Sequence, residues 1–195
     1  LDDEEIAWRK EFVGFDEGDV DRLEGLTETF VTREDEIAEA FYANLTQHER
    51  TSEIIGRSPK NVEQLKETQR AYWRTLTDGE YGQQYFTNRA RIGKLHDLLE
   101  MPSEQYIGQY GVYFELLLET MADRTGDRIA ETLAEAGVDA ETVETVQQEL
   151  DGGFDETLSV LKLMTLDMQV AIDTYIESRE ADLEAEIDRR REIAE

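Results

Sequence analysis

Asn88-Arg89-Ala90-Arg91-Ile92-Gly93-Lys94-Leu95-His96 is the stretch from which the fold is read. It shows no strand-like alternation. Ile92, Leu95 and Leu99 share a side with His96 at i−4, i−1 and i+3, the spacing of a helix face. The helix is predicted over 81–99. Thr77-Asp78-Gly79 breaks the chain before it, and Met101-Pro102-Ser103 restarts the chain after it. An imidazole on an apolar helix face is usually a satisfied core or surface histidine, so its meaning depends on what lies upstream.

Upstream, Ser58-Pro59 reads as a helix start, Ser capping and Pro at the first helical position. That helix is predicted to reach about residue 76, with Val62, Leu65, Thr68, Tyr72 and Trp73 on its apolar side. Thr68 precedes His96 by 28 residues, with Leu65 and Tyr72 about a turn to either side. Two helices joined by a short break can face each other across a flat apolar slot. A slot with an imidazole on one wall and a small hydroxyl on the other suits a haem.

Further out, helical spacing recurs everywhere and only Pro59 and Pro102 interrupt it, so the class is all-α. A short amphipathic segment over 2–12 carries Ile6 and Trp8, and Gly14 and Gly18 loosen the chain after it. Helices are predicted over 19–30 and 34–45, the second with Ile37, Phe41, Tyr42 and Leu45 on one side. His48 then lies in a polar stretch and reads as a surface residue. After Pro102 a long helix reaches about residue 136, Gly137-Val138-Asp139 turns, and a helix over 140–150 pauses at Gly152-Gly153. In the last helix Phe154, Leu158, Leu161, Thr165, Met168, Ile172 and Tyr175 keep steps of 4, 3, 4, 3, 4 and 3, a heptad seam. Val160, Leu163, Leu166 and Val170 form a second apolar stripe. A helix apolar on two sides needs covering on two sides, by its own domain and by a second subunit or a surrounding core. Beyond Tyr175 only Ile176, Leu183 and Ile187 continue the pattern amid charge, which reads as the start of a stalk leading to a further domain.

The chain of 195 residues carries 47 acidic and 20 basic side chains, a net charge of −27. With no basic stripe, neither nucleic acid nor an anionic membrane surface is an expected partner. The basic residues are 15 Arg and only 5 Lys. Acid excess spread along the whole chain with scarce Lys is the surface style of proteins that work in high salt. No Cys is present and His occurs only at 48 and 96, so disulfides, thiol nucleophiles and multi-histidine metal sites are excluded. No apolar run approaches membrane-spanning length and no signal peptide opens the chain, so a soluble, cytoplasmic protein is expected.

The stretch Asn88–His96, with Pro102 and Tyr106-Ile107-Gly108 after it, resembles the proximal helix and following loop of globin-coupled sensors. More narrowly, the whole chain is similar to the globin domain of haem-based aerotaxis transducers, in a salt-adapted form. The resemblance implies an all-α globin fold with an extra N-terminal helix and long C-terminal helices forming a dimerising four-helix bundle. It implies haem b (iron protoporphyrin IX), His96 as the proximal iron ligand, and Tyr106 on the proximal side. Phe41-Tyr42-Ala43-Asn44-Leu45 resembles the motif of the second globin helix, whose Tyr is distal, and Tyr42 is the match. Leu65-Lys66-Glu67-Thr68 resembles the distal-helix motif, with Thr68 giving a hydrogen bond near bound oxygen and Leu65 lining the pocket. Phe41, Tyr72, Ile92, Leu95 and Met101 complete the expected cofactor contacts. Two departures are Gln105, where relatives commonly have an aromatic, and Asp97-Leu98-Leu99-Glu100, in place of a more basic, glycine-containing stretch.

The function implied is a haem-based O2 sensor rather than an enzyme, with CO and NO as further ligands. The expected partners are a second copy in a homodimer, a downstream methyl-accepting signalling domain and a chemotaxis kinase complex. Residues 1–178 would form the sensor and 179–195 the start of a helical linker. Two other classes stay open on the residues alone. One is a haem enzyme detoxifying nitric oxide or peroxide, against which stand the lack of a distal His and of room for a reductase domain. The other is a haem-free helical dimerisation module, which explains the heptad seam but leaves the Thr68 and His96 spacing to chance.

Overall fold

The computed structural model describes residues 2–194, and these form eight helices and no strands. They are α1 (Asp3–Val13), α2 (Glu17–Glu24), α3 (Thr27–Thr46), α4 (Glu49–Arg57), α5 (Val62–Arg74), α6 (Gln83–Leu98), α7 (Ser103–Glu135) and α8 (Ala140–Ala194). Two compact units divide the chain, one ending at Met101 and the other beginning at Pro102. The all-α expectation holds throughout. Among the described residues no helix is long and apolar enough to cross a membrane.

Helix boundaries follow side-chain chemistry, and in four places not the chemistry anticipated. The start foreseen at Ser58-Pro59 is not used. Ser58 instead closes α4, and α5 begins three residues later under a capping box in which Asn61 and Gln64 bond each other's backbone N–H. The reciprocal box satisfies two orphan donors where Pro at the first position satisfies none. The polar stretch around His48 holds a helix, α4, whose single buried residue is Ile54. At nine residues α4 is too short to show a repeating apolar stripe in the sequence. The predicted 19–30 helix divides at Gly25, and α3 then runs without the gap foreseen before residue 34. Gly152-Gly153 does not pause α8. Two glycines cost about 2 kcal/mol of helix propensity, and the packing of α8 on α7 to either side outweighs that.

In the first unit α3 and α5 are the packed centre. Phe30, Ile37, Ala38, Phe41, Tyr42 and Leu45 form the buried stripe of α3, and the fully buried Trp73 of α5 meets Phe30 with ring centroids 5.6 Å apart. Beside this seam runs a row of cations on α5 at steps of four. Lys66 bonds Glu39 at 2.7 Å and Glu63 at 3.0 Å, Arg70 pairs with Asp35 at 2.6 Å and Glu67 at 2.9 Å, and Arg74 pairs with Glu34. The hydrogen bonds from Glu39 and then Glu63 hold the Lys66 ammonium above its ordinary pKa. In so acidic a chain, cations placed between two acidic helices let those helices approach. α1 packs against α6, burying Ile6. The 75–82 loop joins α5 to α6 and turns at Gly79, where φ is +76° and a Cβ would lie 2.0 Å from Glu24 Oε1. The left-handed backbone is what favours glycine there, since the Glu24 side chain can swing aside.

The second unit is the α7–α8 hairpin. Its turn uses Gly137 at φ +79°, and Asp139 caps α8 by accepting from Thr142 N at 2.9 Å. That bond lowers the Asp139 carboxyl pKa. Close approach is visible at Gly108, where a Cβ would sit 2.7 Å from Gln169 Nε2, and at Gly126 beside Leu150. Ser103 Oγ donates to Asp173 Oδ1 at 2.6 Å near the open end. Along the heptad seam Phe154, Leu158 and Leu161 are half-buried and Thr165 is buried, whereas Met168, Ile172 and Tyr175 are exposed. The second stripe is uncovered in the single chain, with Val160, Leu163, Leu166 and Val170 between 57% and 68% exposed. Residues 179–194 continue α8 without a break, so the division foreseen between 178 and 179 falls inside one helix.

Candidate functional site

Three helices of the first unit carry the candidate residues. On α6 the His96 ring nitrogen Nδ1 lies 2.8 Å from the Ile92 carbonyl, one turn back. A carbonyl only accepts, so Nδ1 carries a proton and donates it to Ile92 O. In a neutral imidazole this tautomer puts the lone pair on Nε2, the atom through which a histidine so oriented can ligate a metal. Ile92 and His96 are both half-buried, while Leu95 is 48% exposed, a quarter-turn away.

The end of α6 is fixed just beyond His96. The backbone N–H groups of Leu99 and Met101 both donate to His96 O at 3.1 Å, which folds Met101 back beside the histidine. Glu100 makes that turn in the left-handed region, at φ +54°. From α4, Arg57 Nη1 donates to Leu99 O at 3.0 Å and Glu100 O at 3.3 Å. A guanidinium on the last carbonyls both satisfies them and answers the helix dipole.

On α3, Phe41 is buried and Tyr42 is only 9% exposed, their rings edge-on at 5.4 Å. Burial pushes the Tyr42 phenol up to about 12, so it is neutral at any physiological pH. No hydrogen bond engages its hydroxyl among the described residues, which leaves a neutral donor uncommitted.

On α5, Leu65, Thr68 and Tyr72 lie on one face, turned away from the Lys66, Gln69 and Trp73 face buried on α3. Leu65 and Tyr72 are half-buried and Thr68 is exposed. The Thr68 hydroxyl donates to Gln64 O at 3.0 Å and accepts from Lys60 Nζ at 2.8 Å. Arg89, on α6, stands with its guanidinium carbon 4.2 Å from the Tyr72 ring centroid and 4.2 Å from that of Tyr85. Tyr106 belongs to the second unit, where it is half-buried on α7 with its ring 6.1 Å from that of Tyr110.

The structure thus gathers Phe41 with Tyr42, Leu65 with Thr68 and Tyr72, and Ile92 with His96 and Met101. Sequence reasoning gave no role to Lys60, Arg57 or Arg89. Arg89 had a visible signal, since it precedes His96 by seven residues on the same face, but its ring partners come from two helices. Among the described residues no three of His, Cys, Asp and Glu form a metal cage.

With this geometry in hand, comparison with known proteins is decisive. Residues 2–181 match the protoglobin family. This chain belongs to that family. It is also 41% identical, over 194 residues and its whole length, to the heme-based aerotactic transducer HemAT of Halobacterium salinarum. The protoglobin chain spans 37% of the length of that relative. No solved structure matches it. The eight helices agree with a globin fold preceded by an extra helix, and the protoglobin match includes α1 and most of α8.

Proposed function

We propose that this protoglobin-family chain is the oxygen-sensing domain of a soluble aerotaxis transducer, holding haem b through His96 and signalling without enzymatic turnover. The observation that carries the reading is the Nδ1 bond of His96 to Ile92 O, which fixes the ring and, in the neutral imidazole, reserves the lone pair for Nε2. Haem, when bound, supplies an iron that takes up O2, and also CO and NO, reversibly.

The residues present fit that group. His96 is the ligand, its ring oriented by Ile92 O and its helix end by Arg57. Ile92, Leu65, Phe41, Leu95 and Met101 supply apolar surface, and Tyr72 a ring face. Tyr42 offers a neutral hydroxyl that no group among the described residues engages, the donor a polar gas needs. Thr68 is different, because its proton goes to Gln64 O. The donor at that end is the Lys60 ammonium, held against the Thr68 oxygen. Tyr106 is assigned to the proximal side by resemblance alone.

Residues 1–178 are the sensor and the remainder of α8 begins the helical link to a methyl-accepting signalling domain and, through it, a chemotaxis kinase complex. The uncovered stripe of Val160, Leu163, Leu166 and Val170 supports a homodimer built on α8. The acid-rich, lysine-poor surface supports work in the salt-rich cytoplasm of a halophile.

The deciding experiment is haem titration of the purified chain and of His96→Gly. The unaltered chain takes up one equivalent with a Soret band that shifts on oxygenation. His96→Gly keeps its helix content, holds haem weakly, and regains the ferrous spectrum when free imidazole is added. A chain that stays colourless, or a His96→Gly variant with an unaltered ferrous spectrum, refutes the reading. Steady turnover of nitric oxide or peroxide replaces it with an enzyme.

A further inference from the structure

α5 and α6 carry the candidate residues, yet the main helix packing is of α5 on α3 and of α6 on α1. Beyond the 75–82 loop, the Arg89 side chain bridges α5 and α6. The Arg89 guanidinium lies over the Tyr72 ring of α5 and the Tyr85 ring of its own helix, each at 4.2 Å, and its Nη2 donates to Thr75 Oγ1 at 2.6 Å. A planar cation in van der Waals contact with rings fixes a spacing more sharply than an aliphatic contact, because the plane, both faces and the donor direction are all set. The anchors are themselves held. Thr75 Oγ1 donates to Tyr72 O at 2.6 Å, and Tyr85 is edge-on to Tyr81, whose hydroxyl donates to Leu76 O at 2.7 Å. Tyr81 is in turn edge-on to Phe15, 5.3 Å away.

Tyr85, Arg89, Ile92 and His96 follow one another at steps of 4, 3 and 4, along one face of α6. Thr75, Tyr72, Thr68 and Leu65 follow one another along the matching face of α5. Arg89 therefore meets the α5 row at its loop end, one turn beyond Tyr85, and His96 lies seven residues, about 10 Å, further along α6. We propose that Arg89 is a positioning residue, a spacer that fixes the separation of α5 and α6 at their loop end and so sets where the His96 turn stands relative to α5. The lever works on a rigid helix, since Arg57 closes the far end of α6 and Ile92 O fixes the ring. The part of this that concerns haem rests on the function proposed above; the spacer itself does not.

The test uses the native absence of cysteine. Nitroxides placed by Ala71→Cys on α5 and Asp97→Cys on α6 report the position of the His96 turn by pulsed electron resonance, with or without haem. The parent pair should give one narrow distance distribution. Arg89→Ala should broaden it and move its mean, Arg89→Lys should do so less, Tyr85→Leu should copy Arg89→Ala, and Tyr85→Phe should restore the parent distribution. In haem-loaded protein, Arg89→Ala should shift the iron–histidine stretching band and speed haem loss about tenfold, equivalent to about 1.4 kcal/mol. An Arg89→Ala distribution as narrow and centred as the parent overturns the spacer, and so does Tyr85→Phe behaving like Tyr85→Leu. An unmoved iron–histidine band with unchanged haem loss overturns the link to His96. If the unaltered chain takes up no haem, the proposed function fails, while the distances still decide for or against the spacer.

Discussion

Lys60 places its ammonium 2.8 Å from the Thr68 hydroxyl oxygen, and that hydroxyl gives its own proton to Gln64 O, 3.0 Å away. The setting is unusual for this chain. Lys66, Lys94 and Lys162 each pair with carboxylates, and Lys10 lies over the Phe15 ring. Lys60 alone of the five pairs with a hydroxyl. With the Thr68 proton committed to the backbone, positive potential on this face of α5 comes from Lys60. Lys60→Met is expected to speed oxygen dissociation about threefold to tenfold, the effect of losing one solvent-screened, charge-assisted hydrogen bond. Carbon monoxide, which draws less on a donor, should change by about twofold or less. Stopped-flow dissociation of both gases checks this, and equal effects on the two would place Lys60 away from the ligand.

Tyr42 makes stability depend on alkaline pH. Its phenol has a pKa of about 12 in the fold, against an ordinary value of 10.0. Below pH 10 the phenol is protonated in both folded and unfolded chains, so its burial contributes fully. Between pH 10 and 12 the unfolded chain ionises first, and stability falls as pH rises, by about 2 kcal/mol over the two units. Tyr42→Phe should be flatter over that window. Urea unfolding at stepped pH measures both, and parallel curves for the two proteins would contradict the assignment.

Glu100 turns the chain after His96 with φ at +54°, a conformation that disfavours a residue with a Cβ. Glu100→Gly should raise stability by about 1 kcal/mol. The pairing it removes, Arg57 Nη1 to the Glu100 carboxylate at 3.6 Å, involves a carboxylate 85% exposed and contributes little. The Arg57 bonds to Leu99 O and Glu100 O use backbone and survive. A lower urea midpoint in Glu100→Gly would show that the carboxylate matters more than the backbone strain.

Val170 lies on the uncovered stripe of α8. Val170→Asp should leave helix content and monomer stability nearly unchanged, since the residue is 68% exposed in the single chain. It should convert a sedimenting dimer to monomer. A dimer that persists unchanged would move the interface elsewhere.

Salt should stabilise the whole protein. With a net charge of −27, self-repulsion acts against the compact state. At molar salt the screening length is about 3 Å, and most of that repulsion vanishes. The melting temperature should therefore climb between low and molar KCl. A flat profile would separate the acidic surface from any adaptation to salt.

The legible parts of the sequence were those with many independent repeats. Helical spacing along 195 residues, with two prolines, left no room for strands. The seam from Phe154 to Tyr175 marked a helix with two apolar sides. The His96 segment stood out because its resemblance extends over several consecutive residues. α4 stayed hidden because at nine residues it is too short to show a repeating apolar stripe, and the start of α5 was misplaced because the Asn61–Gln64 box outcompetes Ser58-Pro59.

Sequence alone determined that this chain is helical, acidic, free of cysteine and equipped with one imidazole worth following, because composition and periodicity are properties of the order of residues. Only tertiary structure decided which partner each polar group takes. It gave the Lys60 ammonium to Thr68, the C-terminal end of α6 to Arg57 and the gap between α5 and α6 to Arg89. Those pairings join residues brought together by packing rather than by spacing, and a hydrogen bond or a stacked ring is fixed by distance and direction that one helix face cannot specify.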